Sequence, residues 1–302
     1  MSQCSGCIKS FETRDLPTSR TLDGGREAWA KALNRKGYLM CQFFSALYTR
    51  TGDLLWHWCT DHHSDLMRIF KLKDEQEQHF VRVEFTPPED LATIVDVDTW
   101  KFRLDEERTP GWFDAEAKAA AIAKLKGVVS SHIVTDARDV LTDGPWVLAD
   151  GANVNTILSG RIALMCASSN VGVMRGSSNV GEMWESSKVG EMRGSSKVGE
   201  MWESSKVGVM RESSKVGEMR GSSNVGVMRE SSKVGEMWES SKVGEMWESS
   251  KVGVMRESSK VGEMRGSSNV GVMRESSKVG EMWESSKVGE MWESSKVGVM
   301  RE

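Results

Sequence analysis

The chain has 302 residues and a formal net charge of −4, which excludes the strongly basic class of nucleic-acid-binding proteins and the strongly acidic class of DNA mimics. No apolar run of about 18 residues occurs, and residues 1–10 lack the apolar core of a secretory signal. We therefore expect no nucleic-acid or membrane partner and a cytoplasmic location, with association with a virion as the alternative.

The composition changes abruptly near residue 167. All 5 Cys, all 5 Pro and all 5 His precede this point, whereas 15 of the 19 Met and 6 of the 12 Trp follow it. The change predicts a small α+β domain over 1–143, a degenerate capping coil over 144–167 and a repeat array over 168–302. An odd number of cysteines without an export signal favours free thiols or metal ligands over a disulfide framework.

The first half of the α+β domain contains two predicted helices and a strand pair. A helix is predicted over 25–36, followed by strands over 38–48 and 54–58 whose connection has the residues of a hairpin turn. An amphipathic segment over 64–71 predicts a second helix, with Ser64 as its N-cap.

The second half of the domain alternates strand and helix patterns. Strands are predicted over 79–85 and 97–104, and an Ala- and Lys-rich helix over 113–129 has Asp114 near its start. Short apolar patterns over 144–167 resemble those of the array, so this segment is predicted to cover the open end of the repeats.

Two close pairs of potential metal ligands occur in the domain. Cys4 and Cys7 form one pair, and Cys59 and His62 form the other, each with a spacing of three residues. Together they would give the three cysteines and one histidine of a tetrahedral structural zinc site. The alternative is that the cysteines are free thiols and that His62 is an exposed residue at a helix start.

Several histidines lie beside carboxylates and are candidates for a general base. These residues are His57, His62 and His63, with Asp61 and Asp65 beside them. Neighbours in sequence rarely meet as a catalytic set, so an acidic helix N-terminus is the simpler interpretation.

The acidic residues at 96–98 and 105–107 could bind a divalent cation, but carboxylates in turns and at strand ends explain them equally well. No phosphate-binding loop, dinucleotide fingerprint or nucleophile elbow occurs. No catalytic residue is therefore predicted.

From Ser168 onward the chain is a nine-residue unit repeated fifteen times, with Val at its fourth, Gly at its fifth and Met at its seventh position. The strict nine-residue period does not fit a helix, and it predicts a parallel β-solenoid with Val and Met inside and Lys, Glu and Arg outside. Two units would form one coil of two strands. The serine hydroxyls are expected to bond to the turn backbone.

The nine-residue period is similar to that of calcium-binding β-roll repeats. Those repeats bind calcium through aspartates, and the array contains no Asp. No calcium is therefore expected. The regular serines also invite comparison with ice-binding solenoids, but Ser lacks the methyl group of the usual Thr, and its place in turns is explained by turn chemistry.

From Ser213 the variable positions recur every five units. Because five units do not divide into two-unit coils, we expect this longer period to reflect duplication and not the order of residues in a column. Position eight of the unit carries Arg or Trp, and the two are expected to share columns as half-covered surface residues. The alternative is an aromatic interaction surface made by Trp184, Trp202, Trp238, Trp247, Trp283 and Trp292.

Three segments of the domain, at 61–72, 85–88 and 110–114, together with the order of the predicted elements, resemble uncharacterised bacterial and phage proteins that join a small α+β domain to a nonapeptide-repeat β-solenoid. The resemblance implies this two-part architecture and a phage or mobile-element context. It implies no catalytic residues.

The sequence thus favours a non-enzymatic structural or interaction protein whose solenoid is a rigid spacer or a protein-binding surface. One alternative is an enzyme or effector domain with the solenoid as an appendage. A further alternative is a solenoid that assembles with itself. The expected partner is another protein or a second copy of the chain.

Overall fold

A computed structural model describes residues 44–57, 60–73 and 79–302. The chain divides between Ser131 and His132 into two compact units. The predicted helix over 25–36 and the beginning of the predicted strand over 38–48 lie outside the described residues.

The first unit contains an antiparallel sheet in the order β2-β1-β3-β4. Tight-turn chemistry joins β1 to β2, since Gly52 has a φ of +86° and the main-chain N–H of Asp53 donates to the Thr49 hydroxyl at 2.9 Å. The predicted hairpin and the predicted strand over 79–85 are therefore confirmed in the described residues. The strands are β1 (Phe44–Thr49), β2 (Leu54–Leu55), β3 (Phe80–Thr86) and β4 (Lys101–Leu104).

Helix α1 (His63–Ile69) packs against this sheet through Leu66, which contacts Leu47 and Phe80 in a small apolar core. The prediction that Ser64 caps the helix is wrong. The N-cap is His62, which makes no capping bond through its side chain.

The hydroxyl of Thr60 organises the start of α1 instead. It accepts a hydrogen bond from the main-chain N–H of His62 at 3.1 Å and donates to the Asp65 carboxylate at 3.2 Å. The helix can therefore begin at His63, and Ser64 lies inside it.

Only the second half of the predicted strand over 97–104, Lys101–Leu104, forms a strand. Residues Val97–Thr99 form a short 3₁₀ turn, because the Asp96 carboxylate accepts from the main-chain N–H of Asp98 at 3.0 Å and favours a turn over an extended chain. A similar turn spans Leu91–Thr93. Helix α2 (Ala115–Ser131) begins where predicted, with the Asp114 carboxylate accepting from the N–H of Ala117 at 2.9 Å.

The second unit is a parallel β-solenoid made of two ten-stranded sheets, one with the odd-numbered and one with the even-numbered strands. This confirms the predicted fold class. The strands are β5 (Ile133–Val134), β6 (Ala137–Leu141), β7 (Trp146–Leu148), β8 (Asn153–Ile157), β9 (Arg161–Met165), β10 (Asn170–Met174), β11 (Asn179–Met183), β12 (Lys188–Met192), β13 (Lys197–Met201), β14 (Lys206–Met210), β15 (Lys215–Met219), β16 (Asn224–Met228), β17 (Lys233–Met237), β18 (Lys242–Met246), β19 (Lys251–Met255), β20 (Lys260–Met264), β21 (Asn269–Met273), β22 (Lys278–Trp283), β23 (Lys287–Met291) and β24 (Lys296–Arg301).

The strand register gives the coil its length. Val171 pairs with Val189 and Met174 with Met192, so each residue lies beside the residue 18 positions further along the chain. One coil therefore contains two nine-residue units, as predicted. The two sheets also include β5 and β6, which precede the predicted capping coil over 144–167.

The Val and Met of every unit up to β22 are buried and form one continuous core. They are three residues apart, so strict strand alternation would place them on opposite faces. The intervening Gly interrupts the alternation, and in the pairing of β10 with β12 the residues on both sides of Gly172 have partners while Gly172 has none.

This Gly also lies too close to the neighbouring coil for any side chain. A Cβ atom on Gly235 would be 2.5 Å from the carbonyl oxygen of Gly217. The fixed Gly of the repeat is thus required by close backbone packing, coil after coil.

The second serine of the unit points inward, but its predicted hydrogen bond is wrong. The hydroxyl of Ser232 is fully buried and makes no hydrogen bond, as at the equivalent positions of the other central coils. The turn is closed by the main chain, since the N–H of Ser232 donates to the carbonyl of Arg229 at 3.2 Å. The serine is a small residue that fits a narrow corner.

Candidate functional site

The outer surface of the solenoid is built from columns, because each position of the repeat stacks on the same position one coil away. Position eight, directly after the Met, forms one column on each sheet. Arg and Trp share these columns, as predicted. The column beside the odd-numbered strands contains Trp184, Trp202, Arg220, Trp238, Arg256, Arg274 and Trp292, and the other contains Arg175, Arg193, Arg211, Arg229, Trp247, Arg265, Trp283 and Arg301.

Rings and guanidinium groups stack within the first column. Trp184 and Trp202 are parallel, with centroids 4.9 Å apart and an interplanar angle of 4°. The guanidinium of Arg220 lies between two rings, 5.0 Å from Trp202 and 5.3 Å from Trp238. Arg256 lies 4.4 Å from the other face of Trp238. These are cation–π distances.

The second column repeats the arrangement. Arg265 lies 4.8 Å from the ring of Trp247 and 5.4 Å from that of Trp283. Arg229 and Arg301 cover the remaining faces of these two rings, at 6.0 Å and 4.7 Å. Each of these Trp rings is therefore enclosed by two guanidinium groups.

The five-unit period explains this alternation, contrary to the expectation that it has no bearing on the columns. Two consecutive Trp units, such as those of Trp238 and Trp247, fall on opposite sheets because each sheet takes every second unit. An odd period then separates the Trp residues of one column by Arg. In the duplicated blocks no Trp stacks on another Trp, so duplication preserves the cation–π contacts.

The six tryptophans of the predicted interaction surface differ in exposure. Trp184 is 3% exposed and Trp292 is 55% exposed, and the other four are half-buried. The rings of the five tryptophans other than Trp292 contact residues of neighbouring coils, whereas Trp292 is the most exposed of the six. Their role as an interaction surface stays a prediction.

Glutamates at position six bind the column residues. The indole N–H of Trp184 donates to Glu182 at 2.8 Å, and that of Trp247 donates to Glu245 at 2.8 Å. In the three Arg units that carry Glu at position six, the guanidinium makes this contact instead, from Arg193, Arg220 and Arg265.

Glu191 shows the strongest version of this contact. Its carboxylate bonds to Arg193 at 2.7 Å in the same coil and to Arg211 at 2.6 Å in the next. The hydrogen bond from Arg193 is the largest contribution and lowers the pKa of Glu191. Burial opposes it, but the charge of Arg193 and then the contacts of Arg211 lower the pKa further, so it stays below its usual range. The ion pairs thus link consecutive coils.

The turns carry a second column of glutamates at position nine. These residues adopt left-handed backbone conformations, with φ of +57° at Glu239 and +54° at Glu257, and Gly occupies the same position at Gly221. The Glu239 carboxylate accepts from the N–H of Gly221 at 2.8 Å. Burial, and then repulsion from Glu239 and Glu275, raises the pKa of Glu257.

Of the four predicted zinc ligands, only His62 lies among the described residues. Cys4, Cys7 and Cys59 lie outside the described residues. His62 is described as the N-cap of α1 and is exposed. The four-ligand zinc site stays a prediction.

Cys166 is a different kind of cysteine. It is 1% exposed, and its thiol donates to the carbonyl oxygen of Leu148 at 3.6 Å. Burial, with smaller contributions from Glu185 and Asp150, raises the pKa of Cys166 to about 12. The thiol therefore stays protonated and is neither a nucleophile nor a metal ligand at neutral pH.

Of the candidate general-base histidines, His63 is the buried one. Its Nδ1 lies 3.2 Å from the Asp105 carboxylate, and its Nε2 lies 3.3 Å from the carbonyl oxygen of Val83. Burial lowers the pKa of His63, against smaller opposing contributions from Val83 and Asp105. Asp65, predicted as its neighbour, instead binds Arg68 at 2.9 Å.

A buried carboxylate completes this region. Glu84, on β3, is 2% exposed, and its carboxylate lies 3.8 Å from the guanidinium of Arg103, which is its pairing partner on β4. One ligand atom each of His63, Glu84 and Asp105 lies within 4.8 Å of the other two. This group was not predicted from the sequence, because its members come from three separate parts of the chain.

Most of the other acidic residues at 96–98 and 105–107 have structural roles. Asp96 caps a 3₁₀ turn, and Asp98 forms an ion pair with Lys126 at 2.6 Å. Glu106 bonds to Arg82 at 3.1 Å. Of these acidic residues, Asp105 is the one that lies beside His63 and Glu84.

No protein-family model matches the chain, and neither the curated proteins nor the solved structures gave a match. The resemblance to bacterial and phage repeat proteins therefore stays a prediction. None of the described helices is both long and apolar enough to cross a membrane.

Proposed function

We propose that the protein is a non-enzymatic structural or interaction protein whose solenoid is a rigid spacer that presents a protein-binding surface. Its partner is another protein or a second copy of the chain. The cytoplasm and the surface of a virion are both suitable locations for such a spacer.

The observation that carries this proposal is the equivalence of the units. Val stacks on Val, Met on Met and Gly on Gly through the whole array, so every unit adds the same core and the same outer columns. Such an array changes its length without changing its cross-section. A spacer needs this property.

The outer face supports protein binding over nucleic-acid binding. The repeats contain 20 Lys and Arg and 20 Glu, and guanidinium groups such as those of Arg220 and Arg265 are bonded to glutamates. A phosphate backbone would meet no surplus of positive charge. Trp and Arg, which share the outer columns, are both enriched at protein interfaces.

The spacer role is tested by shortening the array. Deletion of 213–248 removes four units, which is two coils, and should shorten the particle by about 10 Å in small-angle X-ray scattering. The full-length protein, measured under the same conditions, is the reference. An unchanged maximum dimension, or loss of the folded array, would contradict the spacer.

The surface role is tested separately by Trp→Arg substitution at the six column tryptophans. Arg occurs at consecutive places in the column from Arg175 to Arg229, so the solenoid should fold unchanged. Partner capture and self-association, followed by light scattering, should both be weakened. If both persist in a correctly folded variant, the tryptophan columns are not the binding surface.

A further inference from the structure

We propose that His63, Glu84 and Asp105 bind a divalent transition-metal ion such as Zn²⁺ in the first unit. The three residues come from the first position of α1, from β3 and from the residue after β4. This site is independent of the proposed function of the solenoid. It also shares no residue with the predicted site at Cys4, Cys7, Cys59 and His62.

The spacing of the ligand atoms suits an ion. Ligands bonded tetrahedrally to Zn²⁺ at about 2.0–2.2 Å lie about 3.3–3.6 Å apart. Nδ1 of His63 and the Asp105 carboxylate are 3.2 Å apart, and the full set lies within 4.8 Å. Any ligand separation near 4.8 Å must therefore shorten when the ion binds.

The two nitrogens of His63 give an independent argument. The Val83 carbonyl oxygen near Nε2 can only accept, so Nε2 carries the proton. In a neutral imidazole Nδ1 then has a lone pair, which faces the Asp105 carboxylate, a second acceptor. A cation between them resolves the conflict.

The contact between Nε2 of His63 and the Val83 carbonyl oxygen is of the kind that orients metal-binding histidines. A ligating imidazole commonly donates its second N–H to a backbone carbonyl, which fixes the ring and its tautomer. The Val83 carbonyl occupies this position, and it belongs to the residue next to Glu84. One strand thus supplies both a ligand and the support of another ligand.

Burial and charge favour an ion as well. His63 is 3% and Glu84 2% exposed, and a buried carboxylate near a second one is costly without compensating positive charge. The Arg103 guanidinium, 3.8 Å from Glu84, supplies part of this charge, and a divalent ion would add to it. The Asp105 side chain is 28% exposed and leaves a route for the ion.

The experiment uses the full chain with Ser in place of every cysteine except the buried Cys166. Isothermal titration with ZnCl₂ should show one bound equivalent, and Co²⁺ should bind without thiolate charge-transfer absorption. His63→Ala and Glu84→Gln should each weaken Zn²⁺ binding at least about tenfold. His62→Ala is the matched control, because it changes the adjacent histidine and should leave the affinity unchanged.

Asp105→Asn keeps the test valid if the buried variants fail to fold, since Asp105 is partly exposed. It should also lose Zn²⁺ binding while retaining the near-UV circular dichroism of the parent. Absence of binding in the parent, with two protons on the His63 ring by NMR, would overturn the proposal. So would Zn²⁺ binding that is lost in His62→Ala but kept in His63→Ala.

Discussion

Side chains in the two units of this protein have different kinds of neighbours. In the solenoid, Met237 lies between the Met residues of the coils before and after it, so its neighbours along the stack are copies of itself. In the first unit, His63 meets Asp105, a residue 42 positions away, and Val83 on another strand. Equivalent residues of the repeats therefore have the same environment, whereas each residue of the first unit has an environment of its own.

This difference predicts how the two units respond to mutation. A given substitution should lower the free energy of unfolding by the same amount in any central coil, because the energy of each coil is set by its nearest neighbours. In the first unit, each substitution should change the free energy of unfolding by a different amount, because each side chain has different neighbours.

The largest effect is expected from Met237→Ala. This Met is fully buried, so its truncation removes apolar contacts and leaves a cavity, at a cost of about 2–5 kcal/mol. Met201→Ala, also fully buried in the same sheet, should lower the unfolding free energy by the same amount in chemical denaturation. Met300→Ala is the control, since Met300 is 72% exposed and should tolerate the change. Unequal costs at positions 201 and 237 would refute the equivalence of the coils.

Gly235→Ala should have the next largest effect. The added Cβ would be 2.5 Å from the Gly217 carbonyl oxygen, and both belong to backbone that cannot move without disturbing the coils, so a loss of about 1–3 kcal/mol is expected. Gly127→Ala in α2 is the matched control from the first unit. Its Cβ would meet nothing within 4 Å, and removal of a helical Gly should stabilise by about 0.5–1 kcal/mol.

Thermal unfolding monitored separately for the two units would show both effects of these glycine variants. If Gly235→Ala were neutral, the repeated Gly would not be needed for close coil packing.

The smallest effect is expected from Glu257→Gln. The pKa of Glu257 is raised in the folded array, so its proton is held more tightly there than in the unfolded chain. Above that raised pKa the ionised Glu257 destabilises the fold, and the Gln variant should melt at a higher temperature at pH 7. As the pH falls and Glu257 becomes protonated, the difference should disappear.

Glu284→Gln is the control for this change. Its carboxylate accepts from the N–H of Gly266 at 2.9 Å, so its replacement should not raise the melting temperature. A higher melting temperature for Glu257→Gln that persists at low pH would mean that charge repulsion is not its cause.

Much of the solenoid could be predicted from the sequence, because its period sets both the strand and the coil. Inward Val and Met follow from the pattern, and the shared columns of Arg and Trp follow from two units per coil. The buried hydroxyl of Ser232 without a hydrogen bond could not be predicted, since it depends on how narrow the corner is. The enclosure of Trp238, Trp247 and Trp283 by Arg also required the residues of neighbouring coils to be aligned.

Less of the first unit could be predicted, because its contacts are distant in sequence. The strand over 80–86 and helix α2 have strong local patterns, and both occur. The start of α1 depends on Thr60, and the turn at 97–99 depends on Asp96, so side-chain bonds overrode the local pattern in both places. His63 and Glu84 meet only through the packing of α1 on the sheet, which no short-range pattern reveals.

The central claim is that one nine-residue unit is an interchangeable half coil. It is tested most directly by deleting one unit, 231–239, and comparing it with the deletion of 231–238, which is one residue shorter. The nine-residue deletion moves every later unit to the opposite sheet but keeps Val, Gly and Met in their columns, so unfolding should stay cooperative with a nearly unchanged midpoint. The eight-residue deletion should disrupt the columns and lower the midpoint sharply. Equal midpoints for the two deletions would contradict the claim.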